Sequence, residues 1–237
     1  MGVSEIFKKH ERAVLMYSGG KDSLALLMLL RPYWDRISVV WVDTGDQFPE
    51  VREHMQIVSQ IVPHFEVLLS NVTAFHAHEG YPVNVVPTSY TSFGQMCFGK
   101  KPICVCSRFQ CCAANIWEPM ARYIAWSKAT CVIRGDRSSE RLEGPREYNG
   151  VEYVFPIFDW TAEQVMEFVR QAPAGLYQER HELPEGSSLD CRMCTAYEAS
   201  SASRMTYMRK HHPEVARHIE WFMPLYRSAV AEEMEEK

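Results

Sequence analysis

Two groups of residues have types and spacing that suit chemistry, and the first is the run Ser18-Gly19-Gly20-Lys21-Asp22-Ser23. Its glycines allow main-chain N–H groups to approach an anion at the start of a helix, while the lysine adds charge and the serines add hydroxyl donors. The run is not a Walker A loop, because Leu15 stands where the first glycine of that motif belongs. It predicts a phosphate-binding loop with Lys21, Asp22 and Ser23 as the residues nearest the chemistry.

The second group consists of two cysteine pairs. Cys111 and Cys112 are adjacent, Cys191 and Cys194 are separated by two residues, and 78 residues lie between the pairs. Two pairs of cysteines can supply the four thiolate ligands of a metal centre. Because neighbouring residues of a helix point about 100° apart, the adjacent pair is poorly arranged to chelate one zinc ion, and we favour a [4Fe-4S] cluster.

The sequence contains eight cysteines, so four lie outside these pairs. Cys131 is inside an apolar run and is expected to be a buried core thiol. Cys97, Cys104 and Cys106 stay open as a second redox set, a persulfide carrier or ordinary residues of a structured loop.

A strand and a helix must position the phosphate loop. Apolar residues at 13–17 predict the strand and those at 24–30 predict the helix. A second strand is predicted at 37–43, followed by a helix from about 50 to 61 and a third strand at 64–69. The alternation predicts an α/β fold with a doubly wound, mostly parallel sheet, in which ligands gather at the carboxyl ends of the strands.

The rest of the chain is less regular. Residues 71–110 carry scattered glycine, proline and serine and predict a long loop. Further along, we predict a helix at 111–128, a buried strand at 131–134, and a capping-box helix start at Thr161 with Gln164. We expect a nucleotide-binding domain at 1–170 and a small helical subdomain at 171–237 that completes the cysteine site.

Charged residues supply further candidates. Arg134 ends the strand predicted at 131–134 and Arg137 follows it, and both could place guanidinium groups on a phosphate or sulfate. The basic residues near the C-terminus are expected to form a solvated helix face, and so is the acidic stretch 232–237. These basic residues are Arg204, Arg209, Lys210, His211 and His212.

Composition restricts the class of protein. The chain has 237 residues, of which 46% are hydrophobic, and its formal net charge is −5, which argues against broad electrostatic capture of nucleic acid. The longest wholly apolar run, Leu24 to Leu30, is shorter than the ~20 residues that a membrane-spanning helix needs. The charged N-terminus resembles no signal peptide, so we expect a cytoplasmic protein with reduced cysteines.

At the phosphate loop the sequence resembles the pyrophosphate (PP) loop of the adenine nucleotide alpha-hydrolases, which often cleave ATP between the α and β phosphates. The segment Trp41 to Glu50, with its Asp-Thr-Gly and Phe-Pro-Glu, resembles the phosphoadenylyl-sulfate and adenylyl-sulfate reductase family. Pro156 to Thr161 is similar to the later Asp-Trp-Thr helix start of that family, so the resemblance extends from about Val14 to Cys194.

The resemblance implies site residues. The nucleotide contacts would be the loop residues together with Asp43, Thr44, Gly45, Arg134 and Arg137. The cysteine pairs resemble the cluster motif of the iron–sulfur adenylyl-sulfate reductases. The cofactors implied are a [4Fe-4S] cluster, Mg²⁺ and either ATP or an adenylyl-sulfate-type nucleotide.

The resemblance fails at one position that matters for the reaction. Reductases of this family carry a nucleophilic cysteine in a Glu-Cys-Gly-Leu-His motif, whereas no cysteine follows Cys194 in this sequence. Our leading hypothesis is therefore ATP-dependent adenylation coupled to sulfur transfer. The alternatives are a reductase with a relocated nucleophile among Cys97, Cys104 and Cys106, and a non-catalytic subunit that binds nucleotide and cluster.

These hypotheses imply partners as well as an adenine nucleotide. A thioredoxin-like or desulfurase-like protein would donate electrons or sulfur. A nucleic acid acceptor and a homo-oligomer stay open, and no membrane partner is expected.

Overall fold

The computed structural model describes residues 2–140, 144, 146–183, 189, 191–196 and 202–235. The chain forms two compact units, each made of three segments. The sheet unit comprises 1–43, 49–68 and 120–182, and the cysteine unit comprises 44–48, 69–119 and 183–237. The domain boundary that we expect at residue 170 stays a prediction.

The strands are β1 (Ala13–Met16), β2 (Ile37–Asp43), β3 (Phe65–Leu69), β4 (Tyr81–Val83), β5 (Val105–Ser107), β6 (Cys131–Ile133), β7 (Arg146–Tyr148) and β8 (Val151–Val154). The helices are α1 (Val3–Lys9), α2 (Lys21–Leu29), α3 (Pro49–Ile61), α4 (Val72–Glu79), α5 (Ser92–Phe98), α6 (Arg108–Cys112), α7 (Glu118–Ser127), α8 (Ala162–Val169), α9 (Ala202–His211) and α10 (Pro213–Glu235).

The main sheet has the order β3-β2-β1-β6-β8-β7. β1 is parallel to β2 and β6, β6 is parallel to β8, and β7 pairs antiparallel with β8. The α/β class and the mostly parallel sheet are thus confirmed. Because the chain reverses its strand order around β1, the turn after β1 opens at the edge of the sheet where ligands bind in such folds.

Apolar side chains on both faces of the central strands explain why these segments form the core. Val14, Val40 and Val132 are buried and pack in one cluster. Helix α2 contributes Leu24 and Leu26, both fully buried. Burial of apolar surface contributes about 25 cal/mol per Å² and favours this arrangement.

The start of α8 confirms the capping-box prediction. Thr161 is the N-cap and accepts a hydrogen bond from the Gln164 main-chain N–H, and the Gln164 side chain accepts one from the Thr161 N–H. The hydrogen bonds satisfy two donors at the helix terminus that would otherwise lack partners.

The prediction of a long loop at 71–110 is wrong. This part of the cysteine unit contains α4, β4, α5 and β5, with β4 and β5 paired in a small parallel sheet. Each element has between 3 and 8 residues, which is too short for a hydrophobic period to be recognised in the sequence.

The expectation of solvated charges near the C-terminus is also partly wrong. Arg204 is 1% exposed, and His212 is buried as well. In α10, Glu233 accepts a hydrogen bond of 2.6 Å from Thr88, and Glu232 accepts one of 2.7 Å from Tyr90. Tertiary contacts therefore use charges that the local sequence pattern assigns to solvent.

None of the helices in the described ranges is both long and apolar enough to cross a membrane.

Candidate functional site

The glycine run lies between β1 and α2, as the sequence predicts. Gly19 has φ +77°, a left-handed conformation that glycine adopts without strain, and Gly20 is the extended N-cap of α2. Lys21 is the first residue of the helix. The loop thus presents main-chain N–H groups at a helix N-terminus, which is the geometry of an anion site.

The two serines of the loop face each other. Ser18 Oγ lies 3.2 Å from Ser23 Oγ, and the Ser23 hydroxyl donates to the Gly20 carbonyl at 3.0 Å. Gly20 N–H points toward Ser18 Oγ over a long 3.4 Å. A phosphate oxygen that accepts from Gly20 N–H would replace this weak contact with a stronger, charge-assisted one.

Asp22 lies between two cations. Lys21 Nζ is 2.6 Å from Asp22 Oδ2, and Arg137 Nε is 2.7 Å from Asp22 Oδ1. Arg137 is 1% exposed, so its guanidinium is a buried part of the loop support. Arg134 is more exposed and pairs with Asp136 at 2.8 Å. The structure therefore brings Arg137 to the phosphate loop, and its contact there is with Asp22.

Gly135 allows this approach, although it is not among the residues that the sequence predicts for the site. A Cβ on Gly135 would lie 3.2 Å from the Asp22 carbonyl carbon and 3.3 Å from Ser23 N. The turn after β6 therefore packs directly on the first turn of α2. The sequence feature that indicates Gly135 is its position immediately after a predicted strand.

Beneath the loop lies a buried polar layer that the sequence did not reveal. Tyr17 OH is 2.5 Å from His54 Nε2, and both side chains are buried. Arg180 Nη1 donates to the Gly19 carbonyl at 2.8 Å, and His181 Nε2 lies 3.0 Å from the same oxygen. These residues are far apart in the chain and follow no recognisable spacing, so no local pattern could identify them.

Burial determines the protonation states of the residues in this layer. It lowers the pKa of His54 to about 3 and that of His181 to about 4, with a further decrease from the positive charge of Arg180. Burial also raises the pKa of Tyr17. At neutral pH both histidines and the tyrosine are uncharged, and Arg180 carries the positive charge under the loop.

The predicted contacts at the end of β2 are divided between the two units. Asp43 belongs to the sheet unit and pairs with Arg52 at 3.1 Å. Thr44 and Gly45 belong to the cysteine unit, where Thr44 Oγ1 accepts a hydrogen bond of 3.5 Å from Cys191 Sγ. Thr44 therefore contacts one of the predicted cluster ligands.

The four paired cysteines line one pocket, as the cluster prediction requires. Cys111 and Cys194 are buried, and Cys112 and Cys191 are partly exposed. The cavity measures about 40 Å³. Its other lining residues are Val72, His76, Pro82, Asn115 and Ile116.

Cys111 has three polar neighbours. His76 Nε2 lies 3.5 Å from Cys111 Sγ, and Asn115 Nδ2 donates to the Cys111 carbonyl at 3.0 Å. A hydrogen bond with Cys106 and burial raise the pKa of the Cys111 thiol, while His76 acts in the opposite direction. Metal binding at this position must therefore displace a thiol proton.

The backbone changes its winding immediately after the cysteine pair. Helix α6 ends at Cys112, and Ala113–Trp117 form a π-helical turn before α7 begins. Such turns are rare and occur frequently at functional sites. The helix predicted at 111–128 is confirmed, with this interruption.

The Cys191–Cys194 turn is held by two buried charged residues. Asp46 is 6% exposed and accepts hydrogen bonds from Met193 N at 2.8 Å and Arg192 Nε at 3.2 Å. Arg204 donates to the carbonyls of Cys194 at 3.4 Å and Cys191 at 3.3 Å. The Cys-x-x-Cys backbone is thereby fixed from two sides.

All eight cysteines lie within the described ranges, and none of them forms a disulfide. Cys131 is fully buried in β6, which confirms it as a core residue. Cys97 is exposed on α5, Cys104 is partly buried, and Cys106 is buried with its thiol donating to the Gly80 carbonyl at 3.3 Å. Of these three, Cys106 is the one that adjoins the pocket through Cys111.

The donor chemistry of the pocket agrees with an iron–sulfur cluster. Four cysteine sulfurs are soft ligands of the type that such clusters use. Among the described residues, no three Cys, His, Asp or Glu side chains are arranged as a ready-made metal site. The sulfur donors thus suit an iron–sulfur cluster by type.

Comparison with known proteins agrees with this description. Residues 12–196 match the phosphoadenosine phosphosulfate reductase domain family. The fold is similar to that of phosphoadenylyl-sulfate (PAPS) reductase from Candida auris, solved with phosphate, at a TM-score of 0.51 and 14% identity over 72% of this chain and 79% of that chain.

A second similar structure is the U34-tRNA thiolase NcsA from Methanococcus maripaludis with its [4Fe-4S] cluster. Its TM-score is 0.45 at 12% identity, over 92% of this chain and 71% of that chain. No curated protein matches the sequence. Since the family match spans most of the chain, including β1 to β8 and both cysteine pairs, the protein belongs to the phosphoadenosine phosphosulfate reductase domain family.

Proposed function

We propose that this protein binds ATP at the phosphate loop and catalyses adenylation of an acceptor oxygen, followed by replacement of that oxygen by sulfur. The observation that carries the proposal is the loop itself, in which Gly19 and Gly20 expose main-chain N–H groups at the start of α2 beside Lys21. Family membership supports a nucleotide as the ligand of this loop.

The adenylation step would proceed by attack of the acceptor oxygen on the α-phosphorus of ATP. The bond from that phosphorus to the bridging oxygen breaks, and pyrophosphate leaves with Mg²⁺. Lys21 and the loop N–H groups would stabilise the negative charge that develops on the leaving pyrophosphate. Asp22, which is held by Lys21 and Arg137, would keep the lysine oriented toward the loop.

The sulfur step would balance without a net redox change. A sulfide-level nucleophile attacks the activated carbon, the carbon–oxygen bond breaks, and AMP leaves with the original acceptor oxygen. Asp43 lies at the end of β2 and Arg134 directly follows β6, and both would contact the nucleotide at this edge of the sheet.

Cys111, Cys112, Cys191 and Cys194 would hold a [4Fe-4S] cluster. Such a group, when bound, supplies iron atoms that can take up sulfur or pass single electrons. The chain orients its ligands: Asp46 and Arg204 fix the Cys191–Cys194 turn, and His76 approaches Cys111.

Nucleotide binding and pyrophosphate release test this function. Anaerobically purified protein should bind ATP, and Lys21→Ala should weaken binding by about tenfold, which corresponds to ~1.4 kcal/mol. Lys8→Ala, on the exposed side of α1, is the matched control and should bind like the wild type. A protein that neither binds ATP nor responds to Lys21→Ala would exclude the proposal.

The exposed position of Cys97 on α5 favours one alternative, a sulfonucleotide reductase with a relocated nucleophile. That enzyme would release sulfite from adenylyl sulfate in the presence of thioredoxin, and one of Cys97→Ser, Cys104→Ser and Cys106→Ser would abolish the release. ATP-dependent pyrophosphate release without any sulfite production separates our proposal from this one. ATP binding without turnover would instead favour the non-catalytic subunit.

A further inference from the structure

The carbonyl of Gly19 receives two side-chain hydrogen bonds from one distant turn. Arg180 Nη1 donates to it at 2.8 Å, and His181 Nε2 lies 3.0 Å away. Both residues belong to the short 3₁₀ turn Glu179–Glu182 in the sheet unit, and both are buried. Their positions are 161 and 162 residues after Gly19.

The tautomer of His181 follows from its surroundings. Gln178 N–H donates to His181 Nδ1 at 3.0 Å, so this nitrogen must be the unprotonated acceptor of a neutral ring. The proton therefore lies on Nε2, which donates to Gly19. The depressed pKa of His181, about 4 through burial, agrees with a ring that is neutral at physiological pH.

Two donors on one carbonyl fix the orientation of a peptide plane. In a trans peptide the N–H of Gly20 points opposite to the carbonyl of Gly19. With that carbonyl held toward Arg180 and His181, Gly20 N–H must face the other side of the loop, where Ser18 Oγ lies. This is the side on which the loop hydroxyls gather.

Without such support the loop would sample many conformations. Gly19 and Gly20 have wide backbone freedom, which costs entropy when a ligand requires one conformation. A Cβ on Gly19 would lie 2.7 Å from Met55 and 3.3 Å from His54, so the glycine is packed directly against the buried layer. Contacts with the buried layer therefore restrict the conformation of the Gly19–Gly20 peptide.

We propose that Arg180 and His181 are positioning residues for the phosphate loop, which orient the Gly19–Gly20 peptide so that Gly20 N–H faces the polyphosphate of the nucleotide. This inference rests on the proposed function for the identity of the ligand. Arg180 also places a positive charge beneath the loop, which favours an anion above it.

The test compares ATP with adenosine, which lacks the phosphates. His181→Phe removes the donor and keeps an aromatic ring of similar size, so it should weaken ATP binding roughly tenfold, equivalent to one hydrogen bond of ~1.4 kcal/mol. Adenosine binding should be unchanged. His181→Gln carries an amide N–H in place of Nε2–H and should restore most of the ATP affinity.

Tyr177→Phe, two residues before this turn, is the matched control. It keeps the ring that stacks on His181 and removes the hydroxyl, which bonds Glu182 and Arg170 and makes no contact with Gly19. It should bind ATP like the wild type. Equal loss of ATP and adenosine binding in His181→Phe, or no loss of either, would overturn the proposal.

A ligand-free measurement separates this inference from the proposed function. With ¹⁵N-glycine labelling, the amide signal of Gly20 should shift in His181→Phe and return in His181→Gln, and an unchanged signal would overturn the positioning role. Failure of the wild type to bind ATP would overturn the proposed function, while the Gly20 signal would still decide the orientation of the peptide.

Discussion

The guanidinium of Arg137 lies 2.7 Å from the carboxylate of Asp22, at the first turn of the helix that follows the glycine loop. Arg137 has only 1% of its side chain exposed, and the two residues are 115 positions apart. The ion pair joins the turn after β6 to the phosphate loop. Arg137, which the sequence predicts as a ligand contact, is thus paired with Asp22 of the protein itself.

Replacing Arg137 by methionine should destabilise the fold. The change keeps the length of the chain and leaves Asp22 with Lys21 alone, so we expect the free energy of unfolding to fall by roughly 3 kcal/mol. Urea denaturation at neutral pH measures it. Arg134→Met removes a more exposed pair and should cost less than about 1 kcal/mol; equal losses would contradict the burial argument.

Gly135→Ala should disturb the same contact from the opposite side. Its Cβ would lie 3.2 to 3.3 Å from Asp22 and Ser23, so either the turn or the loop must shift, at a cost of about 1–3 kcal/mol. ATP affinity should fall as well. Gly144→Ala is the control, since its Cβ would meet Phe158 at an ordinary 3.7 Å. Calorimetric ATP titration of both variants measures whether the closer packing at Gly135 lowers ATP affinity.

Alanine at any of Cys111, Cys112, Cys191 or Cys194 should reduce cluster content. After anaerobic reconstitution the wild type should contain about four irons and four sulfides per chain, and each variant should contain clearly less. Cys131→Ala, which lies in the core of the sheet unit, should keep the wild-type content. Zinc in place of iron, or full iron content in all four variants, would refute the assignment.

Asp46→Asn should weaken cluster retention without removing a ligand. The amide keeps the size of the side chain but is neutral and has one acceptor oxygen, whereas the two carboxylate oxygens accept from Met193 N–H and Arg192 Nε–H. We expect iron loss to a chelator to become about tenfold faster, since changes behind metal ligands typically cost roughly 10- to 100-fold in affinity. Asp159→Asn, an exposed carboxylate, should leave the rate unchanged.

Stability should decrease as the pH falls from about 6.5 toward 4. His181 has a pKa lowered to about 4 in the fold, because burial and the nearby Arg180 disfavour its charged form. The unfolded state therefore binds more protons over this range, and the free energy of unfolding falls by about 2 kcal/mol per such histidine between pH 7 and pH 5. His54, with a pKa of about 3, acts in the same direction.

His181→Gln isolates this contribution, because glutamine does not titrate. Urea denaturation at pH 7 and pH 5 should show a smaller decrease in stability for the variant than for the wild type. The same pH dependence in both proteins would show that His181 is protonated in the folded state at pH 5.

The sequence by itself determined the features that are local. The run from Ser18 to Ser23 between two apolar segments identified a strand, a glycine turn and a helix, because backbone freedom and hydrophobic period act over neighbouring residues. The capping box at Thr161 is local in the same way. The cysteine pairs are visible because residue type and close spacing within each pair are local properties of the sequence.

Only the tertiary structure decided what supports these features. Arg180 and His181 reach Gly19 across more than 160 positions, and Arg204 reaches the carbonyls of the Cys191–Cys194 turn from inside a helix whose sequence predicts a solvated face. A buried charge is stable only when folding supplies its partners. Those partners come from distant segments, so the sequence pattern around each residue does not indicate them.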